Sequence, residues 1–204
     1  MGIRVVLATH NAHKIEEFAA IVAATRPDVE VIGYDGPEPV EDGITFRENA
    51  LIKARAAVAH TGLPALADDS GICVDALGGV PGAFSAYWAG QRKDAVANRE
   101  LLLDQLRDIP DPRRTAQFVS TIALVVPAVD GSSPIEHVVE GVWPGRLAHA
   151  PAGEGGFGYD PVFIPDDQPE AATRTAGEFS ADEKNALSHR TRAFAALAPL
   201  LAGL

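Results

Sequence analysis

A single cysteine in 204 residues, Cys73, excludes an intrachain disulfide and a thiolate zinc cluster. Cations are scarce: 17 Lys and Arg against 28 Asp and Glu give a formal net charge of −11. A nucleic-acid polymer needs a basic surface to neutralise its phosphates, so no such partner is expected. A small anion stays open if the few cations are concentrated. No apolar run approaches the ~18 residues of a membrane-spanning helix, and no N-terminal stretch has the charged, apolar and small-residue order of a signal peptide. A cytoplasmic protein without a membrane partner is the expectation. Internal repeats, low-complexity linkers, the Gly-rich P-loop and the dinucleotide fingerprint are absent too.

What is present fits a soluble globular chain, 47% hydrophobic and 22% charged, large enough for a full core as one domain over 1–204. Residues 3–8 read as a strand ending at Thr9-His10-Asn11, followed by a helix with Ile15, Phe18, Ala19 and Val22 on one face. A second strand is expected over 29–34, then an acidic, Pro/Gly-rich loop over 35–43. Thr45 and Glu48 form a capping box opening a helix to about His60, with Gly62 as its stop. Further expectations are a strand over 72–77, a helix over 91–107 burying Leu101, Leu102 and Leu106, and two strands over 115–126 and 135–142. A turn around 130–133 would join these two as an antiparallel hairpin, making the sheet mixed. A glycine-rich loop over 153–158 leads to a short strand over 162–164. Ser180 and Glu183 form a second capping box, opening one last helix to about Leu201.

Chemistry concentrates at a few places. Asp68-Asp69 stand where small apolar residues meet Ser70-Gly71. Paired carboxylates at the end of a buried strand are costly without positive charge, which Mg²⁺ commonly supplies; the same residues also read as an Asx-type turn. Thr9 to Lys14 put free helix-start amides beside an ammonium, which suits phosphate and equally suits an Asn N-cap with a solvated lysine. Lys53 follows Asn49 by four residues, so both share a helix face, in a cleft or in solvent. Lys184 with Ser188, and Asn185 with His189, have the same spacing and build a cationic strip reaching Arg190. Cations near a helix N-terminus point to an anion or an acidic partner, or to a solvated face. Phe157-Gly158-Tyr159-Asp160 places an aromatic on a loop of little bulk, able to stack on a base, although structural turns also collect glycines. Cys73, between Ile72 and Val74, reads as a buried thiol.

Together these stretches resemble the inosine triphosphate pyrophosphatase family: Leu7-Ala8-Thr9 with Asn11 and Lys14, Thr45-Phe46 with Glu48-Asn49-Ala50, Lys53-Ala54-Arg55, Ala67-Asp68-Asp69-Ser70-Gly71, Gly155-Gly156-Phe157-Gly158-Tyr159-Asp160-Pro161, and Ser188-His189-Arg190. The resemblance implies a mixed α/β fold with a long twisted central sheet, flanking helices and two lobes around a substrate cleft. It also implies a homodimer and Mg²⁺-dependent hydrolysis of ITP, dITP and XTP to the monophosphate and pyrophosphate. Carried over by position, Asp69 is the catalytic acid/base and a metal ligand, and Ser70 contacts substrate. Thr9, His10, Asn11, Ala12, His13 and Lys14, with Lys53, hold the triphosphate. Phe157, Gly158, Tyr159, Asp160, Lys184, His189 and Arg190 hold the base and flanking phosphates. Glu41 is the expected second metal ligand, with Asp68 filling that role or orienting its neighbour. The chain departs from the family at His10 and His13, where glycine is common, and at Tyr87, where arginine is common. The alternatives are a related pyrophosphatase for other modified nucleotides and a non-catalytic nucleotide-binding protein.

Overall fold

The computed structural model describes residues 3–128, 132–169 and 172–201. In chain order the elements are β1 (Ile3–Leu7), α1 (Ala12–Thr25), β2 (Val29–Gly33), α2 (Phe46–Thr61), β3 (Ala65–Val74), α3 (Ala95–Gln105), β4 (Thr115–Val126), β5 (Ile135–Leu147), β6 (Phe163–Pro165), α4 (Ala181–Leu187) and α5 (His189–Leu201). The six strands form one sheet in the order β2-β1-β3-β4-β5-β6. It is mixed, as expected: β1 pairs in parallel with β2 and β3, and β5 pairs antiparallel with β6. The turn expected around 130–133 includes Asp130 and Gly131, which lie outside the described residues.

The chain forms two compact units, Met1–Asp69 with Ser120–Gly141 and Arg190–Leu204, and Ser70–Val119 with Val142–His189. In the first unit the strand pleat sorts side chains by parity. Val5, Leu7, Leu66, Ile122 and Leu124 pack with Phe18, Ile21 and Val22 of α1 and Phe194 and Leu197 of α5. Their neighbours Val6, Ala8, Ala65, Ala67, Ala123 and Val125 pack on the other face with Ala50, Leu51, Ala54 and Ala57 of α2. Leu66 is wholly buried, worth on the order of 2 kcal/mol. The second unit is built on aromatics, with Phe118, Trp143, Phe163 and Phe179 among its buried core. Arg114, 1% exposed, closes loop ends there by donating to the carbonyls of Leu106, Leu147 and Ala148.

Several expectations are corrected: the strand expected over 72–77 ends at Val74, and Cys73 and Leu101 are half-buried rather than buried. Asp68-Asp69-Ser70-Gly71 is not a turn: β3 runs through it without interruption. Gly71 serves close packing, since a Cβ there would meet Ser85 Oγ at 2.3 Å and the Gly82 carbonyl oxygen at 2.4 Å. The last helix is two helices, because Ser188 is extended (ψ 161°) between α4 and α5. α3 starts late because the Asp94 side chain caps it, accepting from the amides of Val96 and Ala97. β5 continues past Pro144 and Gly145, where antiparallel pairing with β6 brings the Ile164 carbonyl so close that a Cβ at Gly145 would sit 2.4 Å from it.

Candidate active site

The parity of β3 gives its two carboxylates different neighbours. Asp68, an even position like Leu66, faces α1 and α5: its oxygens lie 2.9 Å from Lys14 Nζ, 3.4 Å from Arg190 Nε and 2.6 Å from Ser120 Oγ. Lys14 also donates to the Asp68 carbonyl, and Arg190 Nη1 reaches Glu17 at 2.5 Å. Asp69, an odd position like Ala67, faces α2, where Lys53 Nζ is 2.8 Å from Oδ1 and Asn49 Nδ2 is 3.5 Å from Oδ2. Lys53 also reaches Glu41 Oε2 at 3.3 Å. The capping box at Thr45 and Glu48 starts α2 so that Asn49 and Lys53, four residues apart, both meet Asp69. Asn49 Oδ1 in turn takes the amide of Gly43 and ties down the acidic loop that carries Glu41.

Burial sets the electrostatics. Alone it would raise the Asp68 carboxyl, but Lys14 and Arg190 hold it well below the usual carboxylate range. The Lys14 ammonium is lowered, chiefly by burial. Asp69 is raised, because burial outweighs Lys53 and Lys14. Lys53 is raised too: burial opposes its charge, and Asp69 and Glu41 overcome that. Burial thus works against the Asp69 charge that Lys53 and Lys14 support. No cage of three or more His, Cys, Asp or Glu side chains exists among the described residues. Mg²⁺ needs none, because it keeps several waters and takes one or two carboxylates plus phosphate oxygens. Asp69 and Glu41, sharing one ammonium, fit that requirement. Asp68 has its oxygens engaged by Lys14, Arg190 and Ser120.

At the start of α1, Thr9 Oγ1 accepts from the Asn11 amide, and Asn11 Oδ1 caps the helix through the Lys14 amide. Ala12 and His13 are exposed in its first turn. His10 turns onto Tyr34, with ring centroids 5.6 Å apart, and its Nδ1 lies 3.2 Å from Glu38. Ser70 follows Asp69 on β3, half-buried.

A second group lies in the second unit. Lys184, 4% exposed, places Nζ 2.9 Å from Asp160 Oδ2 and 4.8 Å from the centre of the Phe157 ring. The same Asp160 oxygen accepts the Phe157 amide at 2.6 Å. Tyr159 donates its hydroxyl to the Ser85 carbonyl, and burial raises its phenol. His189 stacks on Phe118 at 4.9 Å with an interplanar angle of 13°. The Gly158 carbonyl accepts from Arg99 of α3 at 2.9 Å. Tyr87 stands edge-on to Phe84 at 5.9 Å.

The structure therefore brings together Lys14, Asp68 and Arg190, and separately Lys53, Asp69 and Glu41, in the first unit, and Phe157, Asp160 and Lys184 in the second. Arg190, grouped in the sequence with Lys184 and His189, is committed to Glu17 and Asp68. The helical spacing that linked these residues is broken at Ser188. Lys184 lies in the last turn of α4, where a cation suits the helix dipole. Sequence reasoning missed Ser120, Glu17 and Arg99. Ser120 carried one signal, a hydroxyl among the apolar residues of β4; Glu17 and Arg99 look like solvated helix residues.

The model of the Ham1 family matches residues 5–200. A dITP/XTP pyrophosphatase of Leifsonia xyli subsp. xyli is 58% identical over 202 residues, 99% of this chain and 97% of the relative. The structure is similar to that of a nucleoside-triphosphatase / dITP/XTP pyrophosphatase from Mycobacterium abscessus, with TM-score 0.73 and 48% identity over 97% of this chain and 100% of the other. It is also similar to the Staphylococcus aureus Ham1 protein, with TM-score 0.82 and 37% identity over 98% of both chains. A match that runs through both units leaves one assignment: the chain belongs to the Ham1 family.

Proposed function

We propose that this protein hydrolyses deaminated purine nucleoside triphosphates, namely ITP, dITP and XTP, to the monophosphate and pyrophosphate. One observation carries the chemistry: a buried carboxylate, Asp69, raised by burial and held between an ammonium and an amide, beside a second carboxylate, Asp68, neutralised by its own cations. The names of the similar proteins, dITP/XTP pyrophosphatase, support the substrate class.

In this reading Asp69 accepts the proton of the attacking water as its oxygen bonds to phosphorus, and the bridging P–O bond breaks to release pyrophosphate. A carboxylate with a raised pKa is a stronger base than a free one, which suits that task. Lys14 and Lys53 neutralise charge on the transferred phosphoryl and the leaving group, a role that is mostly electrostatic. Asp68 fixes Lys14, and Asn49 fixes the second Asp69 oxygen. Mg²⁺, held by Asp69 and Glu41, would neutralise phosphate oxygens and acidify the attacking water. Thr9 to Lys14 and Ser70 contact the phosphates. Phe157 stacks on the base, and Lys184, His189 and the loop amides meet its oxo groups. A site built for oxo groups rejects an exocyclic amine because buried donors are then left unpaired. The same reading carries a cytoplasmic homodimer acting on free nucleotides; no described helix is long and apolar enough to cross a membrane.

Pyrophosphate release from ITP, dITP, XTP, ATP, GTP, CTP and UTP, with and without Mg²⁺, tests the reading. Mg²⁺-dependent turnover confined to the first three is expected. Preference for a pyrimidine triphosphate, or binding without turnover, would overturn it.

A further inference from the structure

We infer that Arg99 is a positioning residue that sets base selectivity by fixing the peptide between Gly158 and Tyr159; this rests on the pyrophosphatase reading above. Arg99 Nη1 donates to the Gly158 carbonyl at 2.9 Å across 59 residues of chain. The side chain is half-buried, and its Nε is buried with no hydrogen-bond partner among the described residues. No carboxylate pairs with its guanidinium among the described residues. The helix that presents it is anchored. Asp94 caps α3, and Asn98, 3% exposed, accepts the Ala89 amide at 2.6 Å and donates to the Ala86 carbonyl at 2.8 Å.

What Arg99 holds is the central peptide of a turn, which the Asp160 amide closes by donating to the Phe157 carbonyl at 3.2 Å. Gly156 and Gly158 both lie in the left-handed region, at φ 69° and 62°, where glycine readily exchanges between backbone states. Further ties flank that peptide: the Gly155 amide on the Gly177 carbonyl, the Phe157 amide on Asp160, the Tyr159 hydroxyl on the Ser85 carbonyl and the Val162 amide on the Tyr159 carbonyl. The Gly158 carbonyl itself takes Arg99. A peptide is planar and trans, so turning this carbonyl toward Arg99 turns the Tyr159 N–H the opposite way. One side-chain hydrogen bond thus decides where a backbone donor points. A fixed N–H donor and an uncompensated guanidinium both favour a purine edge carrying oxo groups. Both disfavour an exocyclic amine, which offers donors where donors already stand.

The test compares wild type, Arg99→Ala and Arg99→Lys in kinetics with ITP, XTP and GTP, in calorimetric binding of ITP and GTP, and in amide exchange over residues 155–160. In Arg99→Ala the KM for ITP rises about tenfold, kcat changes by less than about threefold, and the ITP-to-GTP ratio of kcat/KM narrows by about tenfold, as expected for a lost charge-assisted bond. Exchange over 155–160 speeds up. Arg99→Lys, which keeps the charge and one donor, recovers most of the ratio. A merely structural role would lower the melting temperature and the activity toward every nucleotide in proportion, leaving the ratio intact; that result, or wild-type exchange over 155–160, overturns the inference. Should wild type hydrolyse none of these triphosphates, the pyrophosphatase reading falls by itself. Calorimetry then decides the clamp: equal weakening of ITP and GTP binding in Arg99→Ala would sink it.

Discussion

The Lys53 ammonium sits 2.8 Å from Asp69 Oδ1 and reaches it from the same helix face as Asn49, four residues earlier. One helix therefore engages both oxygens of one carboxylate, while the adjacent carboxylate turns to other helices.

Asp69→Asn keeps the shape and the amide contact from Asn49 but removes the base. Turnover of ITP should fall by about 10²–10⁴-fold, the usual worth of a positioned base. The melting temperature should hold, since a carboxylate whose charge burial disfavours is no stabilising asset. Pyrophosphate release and a thermal melt check both, and near-normal turnover would remove Asp69 from the chemistry.

Lys53→Ala should lower kcat/KM for ITP by about a hundredfold, the scale of one lost electrostatic contact to the transition state. The pH profile should move as well. Burial raises Asp69 while Lys53 opposes the rise, so without the ammonium the carboxyl takes up its proton at higher pH. The acid limb of the kcat/KM profile then shifts to higher pH. An acid limb that stays in place would separate Lys53 from Asp69.

Asp68 makes its contribution to stability. Burial works against its charge, but Lys14 and Arg190 hold the carboxyl below its unfolded value, so its stabilisation is fully present well above about pH 3.9. It is lost as pH falls, starting near about pH 5. Asp68→Asn should cost about 3 kcal/mol at neutral pH by taking from the buried Lys14 the carboxylate it pairs with, while Arg190 keeps Glu17. The gap to wild type in denaturant unfolding should narrow as pH drops toward about 3. A gap independent of pH would contradict the ion-pair account.

Gly71→Ala tests the strand reading directly. A methyl there meets Ser85 Oγ at 2.3 Å and the Gly82 carbonyl at 2.4 Å, and such overpacking costs about 1–3 kcal/mol. In a turn exposed to solvent the substitution would be nearly neutral. The unfolding midpoint distinguishes these outcomes.

Local signals made much of the fold legible. Thr45 with Glu48, and Ser180 with Glu183, are capping boxes in the structure as in the sequence, because such caps depend only on residues three apart. The strand ends at 115 and 126 followed from β-branched runs alone. Where long-range contacts decided the outcome, local reading failed. Asp-Asp-Ser-Gly favours a turn by itself, yet Lys14, Arg190, Ser120 and Lys53 donate to its carboxylates and the strand continues. Ser188 has good helical spacing on both sides, and nothing in its neighbours announces extended backbone. Lys53 and Asn49 were visible as a pair, but their partner across 16 and 20 residues was not. Arg99 had no signal at all, since its target lies in a distant loop.

The alternating pleat of β3 also constrains how this strand can change over evolutionary time. Inserting or deleting one amino acid upstream within the strand would swap the two aspartates between faces, handing the Lys53 carboxylate to Lys14 and Arg190. Point substitutions there can be graded in effect, whereas a frame change of a single residue inverts the chemistry outright. Length variation among relatives should accordingly fall in the connections around β3 and spare the strand itself.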